Sequence, residues 1–115
     1  MIIVSTYGRL TGDPQLNENR CNFKVAADGR KRDPQTHRPI AEFFNVTLWG
    51  KQAELAATYL HKGDAVFVSG EFTSDEFVGR DGKSHRSLSI ENASFAFGER
   101  KRGTQDENDD DVLPD

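Results

Sequence analysis

The segment Phe43–Lys51, with the sequence FFNVTLWGK, constrains the fold more than any other part of the chain. Its β-branched and aromatic residues are typical of a strand, in which successive side chains point to opposite faces. One face is uniformly apolar, as a core requires, and carries Phe44, Val46 and Leu48. The other face mixes two aromatic rings with polar side chains, namely Phe43, Asn45, Thr47 and Trp49. The sequence therefore predicts a sheet with one buried face and one mixed face.

Two interpretations of the mixed face remain open at this point. Aromatic rings on a solvated sheet face, with basic residues nearby, can stack against nucleic-acid bases. Alternatively, both rings are simply buried, as aromatic side chains usually are. The strand alone favours neither interpretation.

The rest of the pattern predicts a small all-β fold with one helix. Good helix formers occupy Lys51–His61, whereas turn residues mark Thr11–Pro14 and Gly79–Gly82. Asp28–Ala41 has no apolar periodicity and is predicted to be a long loop. The predicted strands are Ile2–Leu10, Asn22–Asp28, Glu42–Trp49, Ala65–Ser74 and a final hairpin of Glu76–Val78 with Ser84–Glu91, which Ala93–Phe97 extends.

Three strands, a helix and two more strands are typical of an OB-fold, a five-stranded partly open barrel with one helix between strands 3 and 4. An SH3-like barrel and a small α+β sandwich remain the alternatives on spacing alone. The helix should pack on the barrel through the face of Ala53, Ala56, Ala57 and Leu60. We expect Gly63 at the C′ position of that helix, in the left-handed conformation, and Phe67 in the core or a subunit interface.

Charge is distributed unevenly along the chain. All 15 Lys and Arg lie between Arg9 and Arg102, whereas six of the 19 acidic residues follow Gly103. Hydrophobic residues almost vanish after Arg100. We therefore expect a folded domain over residues 1–99 and a disordered acidic tail over residues 100–115.

The residue types exclude several classes of function. The single cysteine, Cys21, permits neither an internal disulfide nor a cysteine metal cluster. His37, His61 and His85 lack metal-ligand spacing, and no P-loop, nucleophile elbow or paired-carboxylate motif appears. We therefore expect no enzymatic activity, no cofactor and no metal. The short apolar start, Met1–Val4, does not fit a signal peptide, so we expect a soluble intracellular protein.

Three blocks of the sequence resemble the bacterial single-stranded DNA-binding protein family. The first two are Gly8–Thr11 with Asp13, Pro14 and Leu16, and Phe23–Ala26. The third begins at Phe43 and continues through Val46–Lys51, Ala53–Glu54, Tyr59–Leu60 and Lys62–Gly63 to Val66–Gly70. Together they span about residues 1–97. The resemblance implies an OB-fold, a homotetramer and sequence-tolerant binding of single-stranded DNA.

The resemblance also implies binding residues. Base-stacking aromatics of the family fall at Phe43, Trp49 and Phe77, and its basic positions near the DNA path fall at Lys51 and Lys62. Gly29 replaces a further stacking aromatic, and the approach to the last hairpin, Thr73–Glu76, is acidic. The predicted loop Asp28–Ala41, beside the mixed face, is either a solvated segment or an arm that neutralises phosphates. We favour the arm mainly because of the resemblance, and its cations are Arg30, Lys31, Arg32 and Arg38.

The tail resembles the partner-binding ending of the family. That ending consists of an acidic run, a short apolar step, a proline and a terminal Phe that docks in partner pockets. The matching residues here are Asp109, Asp110, Asp111, Val112, Leu113 and Pro114, but the last residue is Asp115. A charged terminus enters an apolar pocket only at a desolvation cost. We therefore expect the tail to compete with DNA for basic residues and to bind replication and repair proteins weakly.

The sequence thus predicts a non-catalytic protein that coats single-stranded DNA during replication, recombination and repair. Aromatic stacking and phosphate neutralisation would supply its affinity. The alternative is an OB-fold adaptor of a primosome-type nucleoprotein complex, whose sheet face mainly contacts protein.

Overall fold

The computed structural model describes residues 1–98. Within that range the chain forms six strands and one helix. They are β1 (Ile3–Leu10), β2 (Gln15–Asn17), β3 (Arg20–Arg32), β4 (Pro39–Trp49), α1 (Gly50–Tyr59), β5 (Ala65–Val78) and β6 (Ser84–Phe97). The domain boundary expected at residue 99 and the tail expected from residue 100 lie outside the described residues.

The five long strands form a barrel in the order β1-β5-β6-β4-β3, and β3 returns to pair with β1. Two of the seams are short. β1 and β3 pair only where Arg9 lies opposite Ala26 and Leu10 opposite Val25. β4 and β6 pair in parallel over a short segment in which Phe44 lies opposite Leu88. The topology is the predicted OB-fold, with the helix between the third and fourth barrel strands. The short strand β2 was not predicted, and it pairs with the start of β3.

The core lies where alternation along the strands predicts it. Val46 and Leu48 on β4 are fully buried, and Phe44 packs partly buried against them. The predicted helix face is confirmed, since Ala53 and Ala56 are fully buried against the barrel. The remaining large core side chains come from the other barrel strands and the end of the helix: Leu10, Phe23, Val25, Leu60, Val66, Val68 and Ile90.

The prediction of a long loop over Asp28–Ala41 is wrong. β3 continues to Arg32 and β4 begins at Pro39, so only residues 33–38 connect the two strands. The Asp33 carboxylate organises this turn by accepting the Gln35 N–H at 2.8 Å. Most side chains of this hairpin are exposed, so its sequence lacks the apolar alternation by which a half-buried strand is recognised.

Two expectations about the helix ends also need correction. α1 begins at Gly50, where φ is +60°, rather than at Lys51, and it ends at Tyr59 with Leu60 as its C-cap. Gly63 does have a positive φ of 91°, but it lies beyond the C′ position of the helix. Its N–H donates to the Leu10 carbonyl oxygen at 2.8 Å. The glycine therefore serves a turn that fastens the segment after the helix to β1.

Candidate nucleic-acid interface

The outer side chains of β3 and β4 form a surface that we call the aromatic face, with Phe43 at one end and Trp49 at the other. Phe43 is 52% exposed and Trp49 is 48% exposed, so burial of the two rings is excluded for this chain. The two residues are six positions apart on β4, which corresponds to about 20 Å along a strand. Within residues 1–98, Phe43 makes no ring–ring contact. Each ring therefore has surface available to a flat ligand.

Polar side chains form the floor between the two rings. The Thr47 hydroxyl donates to the Asn22 side-chain oxygen at 2.9 Å, and the Asn45 amide donates to the Ser87 hydroxyl at 3.2 Å. These bonds connect β4 to its neighbours β3 and β6. A concavity of about 380 Å³ opens on this side of the barrel, and Lys24, Asn22 and Asn45 are among the residues that line it. The floor is therefore polar, includes one cation and is braced by side-chain hydrogen bonds.

Arg20 accompanies Trp49 at the far end of the aromatic face. The two residues are cross-strand partners, and the guanidinium carbon lies 5.9 Å from the indole centroid, within cation–π range. A second concavity, of about 310 Å³, is lined by Asn17, Glu18, Asn19, Arg20 and Trp49. Sequence reasoning missed Arg20 because its position depends on the pairing register of β3 with β4. It also missed Lys24, although alternation along the predicted second strand already places that residue on the polar face.

The predicted basic residues Lys51 and Lys62 lie near the two concavities. The Gly50 N–H, next to Lys51, donates to the carbonyl oxygen of Asn19, which lines the second concavity. The Lys62 N–H donates to the carboxylate of Asp13, which lines the first concavity, at 2.9 Å. Both lysines are exposed. The fold therefore brings two residues that follow β4 in sequence close to the aromatic face.

The four predicted cations of the segment after Asp28 lie on the hairpin of β3 and β4. All four are exposed: Arg30, Lys31, Arg32 and Arg38. Arg32 also braces the turn, because its Nη1 donates to the His37 carbonyl oxygen at 2.9 Å. The hairpin continues the strands that carry Phe43, so its positive charge extends the aromatic face at that end.

Phe77 lies on the hairpin of β5 and β6, is 51% exposed and stacks on His85. The parallel pairing of Phe44 with Leu88 places this hairpin at the same end of the barrel as the basic hairpin. Its side-chain alternation places Phe77 on the side of the sheet that carries Phe43. Nearby carboxylates make this approach acidic, as the sequence predicts, and Glu76 accepts a hydrogen bond from the Ser84 hydroxyl at 2.8 Å. All three predicted aromatics thus point outward from the barrel, and Phe77 lies on the hairpin whose strand β6 is paired with β4.

Neither a metal cluster nor a membrane-spanning helix is present in the described part of the chain. Among residues 1–98, no group of three or more His, Cys, Asp or Glu side chains is arranged to hold a metal ion. No helix in the same range has the length and apolarity to cross a membrane.

A barrel of this topology, with half-exposed rings and cations on its β3–β4 side, has the architecture of oligonucleotide-binding OB domains. Sequence comparison is more specific. The profile of the single-strand binding protein family matches residues 1–97. The chain therefore belongs to the single-strand binding protein family.

Relatives in several bacteria support the assignment. Single-stranded DNA-binding protein 1 of Clostridium acetobutylicum is 34% identical over 101 residues, covering 83% of this chain and 91% of that protein. Single-stranded DNA-binding protein 2 of the same organism is 39% identical over 82 residues, covering 65% and 59%. The single-stranded DNA-binding protein of Neisseria meningitidis is 37% identical over 89 residues, covering 72% and 51%. The chain thus spans about half to three-fifths of the length of the last two relatives.

Solved structures support the fold. A small single-stranded DNA-binding protein from Streptomyces coelicolor superposes with a TM-score of 0.69 at 24% identity, covering 84% of this chain and 93% of that one. The Plasmodium falciparum SSB in complex with ssDNA gives a TM-score of 0.65 at 17% identity, covering 86% and 96%. The OB architecture is therefore shared well beyond the sequence similarity.

Proposed function

We propose that this chain binds single-stranded DNA with little sequence preference and acts without catalysis in DNA replication, recombination and repair, in the bacterial cytoplasm or nucleoid. Bases stack on Phe43 and Trp49, and each stacked base contributes on the order of 1–3 kcal/mol. One observation carries the proposal: two half-exposed rings on β4 share a sheet face with the cations Lys24 and Arg20 of the neighbouring β3. Every base has a π-face, so stacking of this kind tolerates any sequence.

Phosphate neutralisation is the second part of the proposal. The DNA backbone runs from the basic hairpin of β3 and β4 past Lys62 and Lys51. Phe77 stacks a further base on the hairpin of β5 and β6. Because neutralised phosphates release counterions, affinity falls as salt rises. The family membership supports this reading, and one structural neighbour is described as a complex with single-stranded DNA.

The test compares single-stranded and duplex oligonucleotides. Fluorescence anisotropy of a labelled 30-nucleotide oligothymidylate, titrated with the protein at several salt concentrations, should show binding that weakens steadily with salt. A duplex of equal length should bind at least about tenfold more weakly, because its bases are not available for stacking. Equal binding of both DNAs would contradict the stacking mechanism. If the protein binds neither DNA, the alternative of an OB-fold adaptor in a primosome-type complex becomes the better interpretation.

We also propose that the chain assembles as a homotetramer. The outer face of β1 and β5, which we call the β1–β5 face, exposes Tyr7 and Phe67, whose ring centroids are 4.7 Å apart. β1 pairs with β3 only at Arg9 and Leu10, so the edge of β1 from Ile3 to Gly8 has no partner strand within residues 1–98. An open strand edge beside an apolar patch is a site that a second copy can cover.

Light scattering coupled to gel filtration decides the assembly. At micromolar concentration we expect a mass four times that of the 12.9 kDa chain. A monomer under those conditions would contradict the assembly proposal. It would leave the DNA-binding proposal standing, because the aromatic face belongs to a single chain.

The acidic tail lies outside the described residues, and its role is proposed from sequence. Asp109, Asp110 and Asp111 compete with DNA phosphates for the basic groups of the domain, and Val112–Pro114 contact replication and repair proteins weakly. Deleting residues 106–115 should tighten DNA binding at low salt, and the gain should fade as salt screens the charges. Unchanged affinity at low salt would contradict the competition.

A further inference from the structure

The hairpin of β5 and β6 holds a second flat ring beside Phe77. The imidazole of His85 stacks on the Phe77 ring with 5.6 Å between centroids and 30° between planes. The two residues are cross-strand partners on the hairpin. The His85 side chain is 45% exposed, so the pair is open to solvent rather than part of the core.

The surroundings of His85 fix the position of its ring. Its Nε2 lies 3.2 Å and 3.3 Å from the two carboxylate oxygens of Asp81. Asp81 is itself held in the turn, because it accepts the Lys83 N–H at 2.9 Å. That backbone hydrogen bond, and then the bond to His85, hold the pKa of the Asp81 carboxyl below its usual range. The imidazole is therefore tied to an ionised partner that the turn has already positioned.

Gly79 leaves the space that the imidazole occupies. A Cβ atom at Gly79 would come within 2.7 Å of Cδ2 and 2.8 Å of Nε2 of His85. Real Cβ atoms do not approach that closely, so any side chain at Gly79 would displace the ring. Gly79, which has no side chain, and the anchored carboxylate of Asp81 together hold the His85 ring against Phe77.

The ring pair lies on the same side of the sheet as Phe43. Phe44 and Leu88 are partners in the parallel seam, and the Asn45 amide donates to the Ser87 hydroxyl, so Asn45 and Ser87 share the outer side. His85 is two residues before Ser87 and has the same orientation along the strand. It lies three residues before Leu88, about 10 Å along β6. The ring pair therefore continues the aromatic face beyond Phe43.

We propose that His85 is a base-binding residue, and that its imidazole and the ring of Phe77 form one two-ring platform on which a nucleobase of single-stranded DNA stacks. This inference rests on the proposed function. The ligand chemistry is the π-face of a base, and Asp81 and Gly79 act by holding the imidazole in place. The imidazole adds a second π-face beside Phe77, at the hairpin whose carboxylates repel phosphates.

His61 provides a matched control within the same chain. It also lies next to a carboxylate, with Nδ1 3.8 Å from Asp64, and its side chain is 59% exposed. Its imidazole has no ring–ring contact within residues 1–98. Replacing it removes an exposed histidine that also lies beside a carboxylate, without touching the platform.

The experiment measures the affinity of the full chain for labelled oligothymidylate by anisotropy, at one salt concentration and pH. We expect His85→Ala to weaken binding about five- to tenfold, since one base loses part of its stacking surface. The affinity of His85→Phe should stay within about twofold of the wild-type value because this variant keeps a ring. The affinity of the control His61→Ala should equal the wild-type value. Wild-type affinity in His85→Ala would overturn the proposal. So would a His85→Lys variant that retains affinity while His85→Phe loses it, because charge would then matter and stacking would not.

A double-mutant cycle tests whether the two rings act as one unit. The double variant Phe77→Ala with His85→Ala should lose less affinity than the product of the two single fold-losses, because either substitution alone already dismantles the platform. Fully independent losses would overturn the two-ring platform. Thermal melts identify any variant whose loss reflects unfolding, and Gly79→Ala then serves as the second route, since it should mimic His85→Ala by displacing the ring. If the wild type itself fails to bind single-stranded DNA, the proposed function falls together with this inference.

Discussion

The aromatic face and the β1–β5 face both expose rings to solvent, yet the two surfaces differ in how the rings are arranged. On the aromatic face, Phe43 and Trp49 lie about 20 Å apart, with Lys24 and Arg20 among them. On the β1–β5 face, the rings of Tyr7 and Phe67 contact each other, and the flanking Ser5 and Ser69 hydroxyls are 2.9 Å apart. Isolated rings beside cations leave room for bases and their phosphates. Tyr7 and Phe67 instead pack into one apolar patch beside the open edge of β1, a surface suited to another copy of the chain.

The difference shows that exposure of an aromatic residue does not by itself define its role. Phe43 and Phe67 are 52% and 51% exposed, so solvent accessibility cannot separate them. What separates them is the set of neighbouring charges, polar floor residues and ring contacts. The following predictions ask whether the two faces are as distinct in function as they are in arrangement.

The largest effect is expected from removing both rings of the aromatic face. Phe43→Ala combined with Trp49→Ala should weaken binding of single-stranded DNA by about 2–6 kcal/mol, because two stacked bases lose their platforms. Anisotropy with a short oligonucleotide measures the loss. Tyr59→Ala is the matched control, since Tyr59 is an aromatic residue of similar exposure on the helix. If the control lost as much affinity as the double variant, the aromatic face would have no special role.

The basic hairpin should change how steeply the affinity for DNA falls with salt concentration. Replacing Arg30, Lys31 and Arg32 with Gln should lower the slope of log affinity against log salt by up to about 0.7 for each lost phosphate contact. At 0.1 M salt the loss would then reach about a hundredfold at most. Titrations at four or more salt concentrations measure the slope. A slope equal to that of the wild type would show that the three cations of the hairpin contact no phosphates.

The β1–β5 face should respond in assembly rather than in DNA binding. Phe67→Ala should weaken association between chains by about 2 kcal/mol, the loss typical of a central aromatic in an interface. Light scattering over a range of concentrations should then show smaller species, while the affinity of one chain for a short oligonucleotide stays the same. Loss of short-oligonucleotide affinity with unchanged assembly would erase the distinction between the two faces.

Arg20 should have the smallest effect. Arg20→Met keeps much of the side-chain length but removes the cation beside Trp49, and one lost phosphate contact costs up to about fivefold in affinity at 0.1 M salt. We expect a two- to fivefold loss of affinity and a changed Trp49 emission spectrum in the free protein. Arg80→Met, on the turn of the β5–β6 hairpin, is the control for a simple change of net charge. Equal losses in both variants would argue against a specific role for Arg20.

Alternation along single strands was sufficient to predict part of this molecule. It placed Val46 and Leu48 in the core and left Phe43 and Trp49 on the other face, and the structure confirms that division. Composition located the helix to within a residue or two. These features depend on local periodicity, which the sequence carries directly.

Features that depend on pairing between strands were beyond that reasoning. The contact of Arg20 with Trp49 and the stack of His85 on Phe77 both require the register of two strands to be known. The extension of β3 to Arg32 was missed because most side chains of that hairpin are exposed. The core alternative for Phe67 is wrong, although alternation with the buried Val66 and Val68 could have excluded it; the subunit-interface alternative stays a prediction.

Fluorescence of Trp49 during a titration with DNA tests the central claim most directly. Trp49 is the only tryptophan of the chain, so its emission reports on one end of the aromatic face alone. We predict that single-stranded oligothymidylate quenches this emission to a saturating level and that the quenching midpoint matches the affinity measured by anisotropy. Saturated binding by anisotropy with Trp49 emission unchanged would contradict the account, because the DNA would then be bound elsewhere on the protein.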